Sequence, residues 1–181
     1  MQLHSEHDSR NLDQRVLAGE LDLAFSVLIA PPEAVSAQEL LVDPYVALVP
    51  PASRYAGLSE LDLSLLDGED LIGQPPNDSC NLYVDRALAR ARVTPRMVFR
   101  TDDNMTVQRL VGTGIGCAIV PLLTVEPETG QGAAVVVPLA ASCAFERRIA
   151  VIWHRDRYRS AAARGFVEIA VAVASTALTA R

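Results

Sequence analysis

The sequence predicts an α/β fold, because segments with strand periodicity and segments with helix periodicity alternate along almost the whole chain. Two further observations point the same way. Half of the 181 residues are apolar, enough to bury a sizeable core in one domain or in two small lobes. The segments also begin and end at residues that punctuate structure, such as Gly19, Pro31, Pro32 and Pro121.

Asp8 or Ser9 caps a first helix whose apolar face is Leu12, Val16 and Leu17, and Gly19 ends it in the left-handed conformation. A strand over residues 21–27 follows. After the two prolines, residues 40–50 read as extended, since Val42, Tyr45, Val46, Leu48 and Val49 suit a pleated surface and Pro44 marks a crossing or an edge. Ser59 opens a short helix through Leu66, and residues 71–73 form a brief strand. Asp78 or Ser79 caps a helix with Val84, Ala87, Leu88 and Ala91 on one face. Residues 96–100 are the next strand, and Asp102 or Asp103 caps a helix containing Val107, Leu110 and Val111. A glycine-rich turn then leads into a buried strand over 117–120, stopped by Pro121. Strands over 135–137 and 148–154 precede a closing helix, capped by Ser160, with Phe166, Ile169, Ala170 and Val173 at helical spacing. This order implies largely parallel sheets.

Composition narrows the function. A net charge of −6 and a pI near 5.0 argue against a surface that binds phosphate backbones. The arginines are scattered except for Arg155, Arg157 and Arg159, which read as a solvated turn. The apolar run 133–145 is too short and too broken by Pro138 and Ser142 to span a bilayer. No export leader opens the chain, and Cys80, Cys117 and Cys143 are an odd set without metal or redox spacing, so a reducing cytoplasm is expected.

The chemistry-bearing residues read mostly as structural. Gly112, Gly114 and Gly116 lie between a helix and a strand, the reverse of a phosphate loop, so they read as a helix end and a close backbone approach. Adjacent Asp102 and Asp103 suit helix capping better than acid–base catalysis. His4, Glu6 and His7 lack a partner at metal spacing, and Cys80 at a helix start reads as packing. With no nucleophile elbow or cysteine–histidine order, neither an enzyme nor a cofactor is expected.

Four segments in order, LAGELDLAF (17–25), DPYVALVPPASRYAG (43–57), LVGTGIGCAIVP (110–121) and RRIAVIWHRDRYRSAAARGFVEI (147–169), resemble the effector domain of LysR-type transcription regulators. The resemblance implies a two-lobed α/β fold of the periplasmic-binding-protein-like (type 2) kind with two crossing segments. Lobe I would comprise residues 1–43 and 139–181, and lobe II residues 44–138. The family's winged helix-turn-helix, linker helix and first effector-domain strand and helix do not precede Met1, so DNA would be reached only through that missing part, and lobe I would lack a strand beside residues 2–6. The resemblance further implies a small-molecule effector, Asp8, Ser9, Phe25, Ser26, Thr101 and Asp102 as its binding residues, and a homodimer or higher homo-oligomer. In that assembly the helix over 81–92, through Tyr83 and Val84, would supply part of the contact. A solute-binding protein of a transport system, or an enzyme on a similar two-lobed fold, is the alternative.

Overall fold

A computed structural model of the chain describes residues 4, 9–76, 78–126 and 132–179. Residues 2, 3 and 5–8, including Asp8, Glu6 and His7 and the expected first strand, lie outside the described set. The chain divides into two compact units, residues 1–42 with 147–181 and residues 43–146.

In the first unit, α1 (Ser9–Ala18) ends at Gly19, whose φ of +76° is the left-handed turn expected there. β1 (Ala24–Val27) pairs antiparallel with β7 (Glu146–His154) in the register Ala24↔Ile152 to Val27↔Ile149. The other neighbour of β7 is β2 (Val35–Val49), a strand of 15 residues that runs from the first unit into the second. Val16 of α1 packs with Ala24, Val35, Ala150 and Ile152, flanked by Leu12 and Leu17 as their spacing requires. α4 (Ala161–Thr179) departs from the expected face. Ala163 and Ala174 are its buried residues, whereas Ile169 and Val173 are 63% and 62% exposed. The helix is apolar on nearly every side, so its periodicity could not select the face that packing uses.

The second unit is built on a mixed sheet. From Asp43 onward β2 pairs antiparallel with β5 (Cys117–Pro121) on one side and β6 (Val135–Pro138) on the other. β3 (Asp70–Gly73) runs parallel to β5 and to β4 (Arg96–Arg100). β1 with β7, and β2 with both β5 and β6, are antiparallel, so the sheet is mixed, which corrects the expectation of largely parallel sheets. Residues 45–49 are all buried because both faces of β2 are covered: Tyr45, Ala47 and Val49 enter one core with Leu61, Leu66 and Leu71, while Val46 and Leu48 enter another with Val107 and Val111.

α2 (Ser79–Ala91) is capped by Asp78, whose carboxylate accepts the Cys80 N–H at 2.7 Å. α3 (Asn104–Gly112) is capped by Asp103, which accepts from Thr106 N at 2.6 Å. The expected helix from Ser59 is reduced to a 3-10 turn, Leu63–Leu66, capped by Asp62. Val84 is 7% exposed and belongs to the core, and Tyr83 stacks on Tyr45 with ring centroids 5.9 Å apart. Val84 is therefore unavailable as an interface residue, because α2 turns it toward the sheet.

The glycine turn behaves as its order implied. Gly114 has φ of +89°, and a Cβ on Gly112 would overlap Gly132 O. A Cβ on Gly116 would lie 2.7 Å from Asp70 O. No phosphate cradle is formed, because the turn's task is to let β5 pass close to β3.

Candidate functional site

In an open α/β sheet, ligands collect outside the carboxyl ends of parallel strands, where side chains and helix starts converge. In the second unit these are the ends of β3 and β4. Thr101 N–H donates to Gly73 O at 3.0 Å, which holds the two ends together. The Thr101 hydroxyl accepts Asp103 N–H at 3.1 Å, and Asp102 is exposed on the same turn. The Thr106 hydroxyl and N–H hold the Asp103 carboxyl below the usual carboxylate range. Asp103, not Asp102, is thus the cap, which leaves the Asp102 carboxylate outside the helix.

Two residues absent from the sequence reading stand beside them. Arg100, the last residue of β4, donates to Gln74 O at 2.5 Å and to Asn81 Oδ1 at 3.5 Å, so its guanidinium is tied to the start of α2. No carboxylate pairs with it among the described residues. Asn104 carries a buried Oδ1 with no hydrogen-bond partner among the described residues. Both escape sequence reading because a strand-end arginine and a first-turn asparagine are common and only pairing distinguishes them.

In the first unit the expected residues sit where α1 starts and β1 ends. Ser9 is buried, and its hydroxyl accepts Val27 N–H at 3.3 Å. Ser26 is 4% exposed and its Oγ has no hydrogen-bond partner among the described residues. A buried polar atom left in that state costs free energy unless a further group meets it. Phe25 points to the opposite face of β1, as strand alternation requires, with its ring edge-on to Phe166 at 5.8 Å. Phe25 remains 51% exposed.

A concavity of about 530 Å³ in the second unit lies at the other ends of β3 and β5, beside Glu69, Asp70, Arg96 and Cys117. Its charges are already matched: Arg54 pairs with Glu69 at 2.9 Å, and Arg96 pairs with Asp70 through two nitrogens. Burial pushes the Cys117 thiol up to about 11, so it is neither a nucleophile nor a ready ligand at neutral pH. Size alone therefore does not make this the site, because no polar group there awaits a partner. Among the described residues no cluster of His, Cys, Asp or Glu could hold a metal ion, and no helix is long and apolar enough to cross a membrane.

An α/β chain of two units joined through shared strands, with polar groups gathered at strand ends and helix starts, describes a ligand-binding domain. The family model of the LysR substrate binding domain matches residues 3–175. The chain belongs to that family, a family of regulator domains and not of enzymes.

The chain is 24% identical over 171 residues to the uncharacterized HTH-type transcriptional regulator YybE of Bacillus subtilis (strain 168), covering 94% of this chain and 56% of that protein. The chain thus spans about half the length of the curated relatives it matches. Among solved structures, the regulatory domain of Synechocystis PCC6803 CcmR, in complex with 2-PG, superposes with a TM-score of 0.81 at 20% identity over 92% of this chain and 80% of that one. The effector binding domain of QuiR, in complex with shikimate, gives 0.78 at 15% identity over 93% and 79%. At such identities the likeness establishes the fold, which is the type 2 periplasmic-binding-protein-like α/β fold.

Proposed function

We propose that this chain is the effector-sensing part of a cytoplasmic transcription regulator, and that it binds a small organic anion without transforming it. The observation that carries this reading is the cluster at the carboxyl ends of β3 and β4. There the Arg100 guanidinium is tied to Gln74 and to Asn81 at the start of α2, and α3 begins four residues after Arg100, at Asn104. Helix starts and a guanidinium both favour negative charge. Asp8, Ser9, Phe25 and Ser26 of the first unit and Thr101 and Asp102 of the second are the proposed effector residues, with Arg100 and Asn104 added. The exposed Asp102 carboxylate disfavours a ligand that is anionic throughout, so a hydroxylated or amine-bearing acid fits best.

The two units serve as the two lobes, and the effector acts by binding one arrangement of the full regulator better than another. DNA is contacted by other parts of that regulator, and self-association accompanies function. The bound 2-PG and shikimate of the two structural relatives support a small anionic effector.

A thermal-shift screen of carboxylates, phosphate esters, amines and neutral polyols tests the reading. A true effector at a hundred times its Kd stabilises by about 2.7 kcal/mol. Ser9→Ala and Thr101→Ala should each weaken it by roughly 0.5–1.5 kcal/mol, and Arg100→Gln by about 1.5–3 kcal/mol. Unchanged affinity in all three variants would remove the site.

A further inference from the structure

The arginines that follow β7 form a second feature, at the opposite end of α1 from Ser9 and therefore about 15 Å along that helix from it. Arg155, Arg157 and Arg159 alternate along the loop, and Arg164 lies in the first turn of α4. In an acidic protein four such cations would be expected to find carboxylates, yet none of them forms an ion pair among the described residues.

Their heads are nevertheless held in place. Arg157 Nη2 donates to Ala18 O, at the end of α1, at 3.2 Å. Its guanidinium fills the space that a side chain on Gly19 would occupy. Arg159 lies over the Trp153 ring, 4.2 Å from the centroid. Arg164 donates to Arg159 O at 2.5 Å, and the Ser160 hydroxyl accepts Ala163 N–H at 3.1 Å, so the loop is fixed against the start of α4.

These contacts use little of what a guanidinium offers. Each carries five N–H donors in a planar fork. Arg157 spends one on Ala18, and Arg159 meets Trp153 through its face and donates no hydrogen bond among the described residues. Between the two heads lies a concavity of about 50 Å³ bordered also by Gly19, His154 and Ala163. Of the four arginines Arg157 and Arg159 line it, and Asp22 is the one carboxylate among its lining residues, which leaves a surplus of one positive charge at the concavity in a chain of net charge −6. The start of the 19-residue helix α4 adds its partial positive charge.

We propose that this concavity is an oxyanion site that takes a phosphate group. Two pre-positioned guanidinium forks, a helix start and room for a single tetrahedral anion fit a phosphate group. The group can belong to free phosphate or to a nucleic-acid backbone, whose diester is a monoanion presenting two such terminal oxygens; in the second case the loop adds a backbone contact to the DNA contacts made elsewhere in the regulator.

The chain's single tryptophan, Trp153, is itself part of the site and reports on it. The 181-residue chain is titrated with sodium phosphate and, at matched ionic strength, with sodium chloride, following tryptophan emission. A parallel titration uses a 12-base-pair DNA duplex at low salt. A saturable change with phosphate but not chloride is expected, weakened at least tenfold in Arg159→Gln and in Arg157→Gln and unaltered in Arg86→Gln, an exposed arginine of the other unit. Arg157 also holds the end of α1, so far-UV circular dichroism accompanies each variant, and Arg159→Gln carries the test if Arg157→Gln unfolds. A saturable response to the duplex with none to inorganic phosphate assigns the group to a nucleic-acid backbone. Equal responses to phosphate and chloride with none to the duplex, or a phosphate response that survives Arg159→Gln, overturn the proposal.

Discussion

Replacing Gly116 by alanine sets a methyl group against the backbone of β3. Its Cβ would lie 2.7 Å from Asp70 O, 3.0 Å from Asp70 C and 3.2 Å from Asp70 Cβ, where ordinary contact begins at 3.4 Å. The strands must therefore part by about 0.7 Å immediately before the paired residues Leu71↔Cys117 and Ile72↔Ala118. Hydrogen bonds of a sheet tolerate only about 0.5 Å between short and long. Overpacking of this kind costs about 1–3 kcal/mol, partly offset by about 0.4–1 kcal/mol because alanine narrows the unfolded ensemble. A net loss of roughly 1–2 kcal/mol lowers the Tm of a domain of this size by about 3–8 °C. The comparison is Gly165→Ala in α4, where an added Cβ meets nothing within 4 Å and alanine is favoured by up to about 1 kcal/mol. Calorimetric melts of the two variants should move in opposite directions. A Gly116→Ala melt at or above that of the parent chain would refute the close-approach argument.

Alkaline titration tests Cys117, whose pKa is raised from 9.0 to about 11 by burial. The folded state resists losing this proton, so the stability it contributes is full below about pH 9 and falls as pH rises toward 11. Urea midpoints should drop more steeply over that window in the parent chain than in Cys117→Ala, and parallel curves would sink the assignment. Asp78→Ala removes the cap of α2 and should lower stability by about 1 kcal/mol in urea unfolding. Ser26→Ala deletes a buried hydroxyl without a partner, so the unliganded chain should melt at the same temperature or higher while effector affinity falls. Val173→Lys, on the exposed side of α4, should shift stability by no more than about 0.5 kcal/mol, whereas burial of that face would make the same change strongly destabilising.

Part of the proposed site was legible in the sequence and part was not. Ser9 and Thr101 were reachable because each sits at the start of a helix whose cap chemistry is written in neighbouring residues. Val84 reads onto the apolar face of α2 with Leu88 and also, by resemblance, into a subunit contact; its burial bears out the first reading and removes it from the second. Arg100 and Asn104 carry no local signature. What marks them is the lack, among the described residues, of a carboxylate for Arg100 and of a hydrogen-bond partner for the Asn104 Oδ1, a property of the folded surroundings.

The sequence by itself determined the alternation of helices and strands and the turn at Gly19, and narrowed the caps of α2 and α3 to Asp78 or Ser79 and Asp102 or Asp103, because each rests on interactions within a few residues along the chain. Tertiary structure alone decided that β2 pairs antiparallel with both β5 and β6, that α4 buries Ala163 and Ala174 rather than Ile169 and Val173, and that four arginines after β7 form no ion pair among the described residues. A strand's direction is set by where its connection returns, and the buried side of an all-apolar helix by whichever surface it meets. Whether a charge is paired depends on residues more than a hundred positions away, as Arg157 and Ala18 illustrate, and local periodicity holds no record of them.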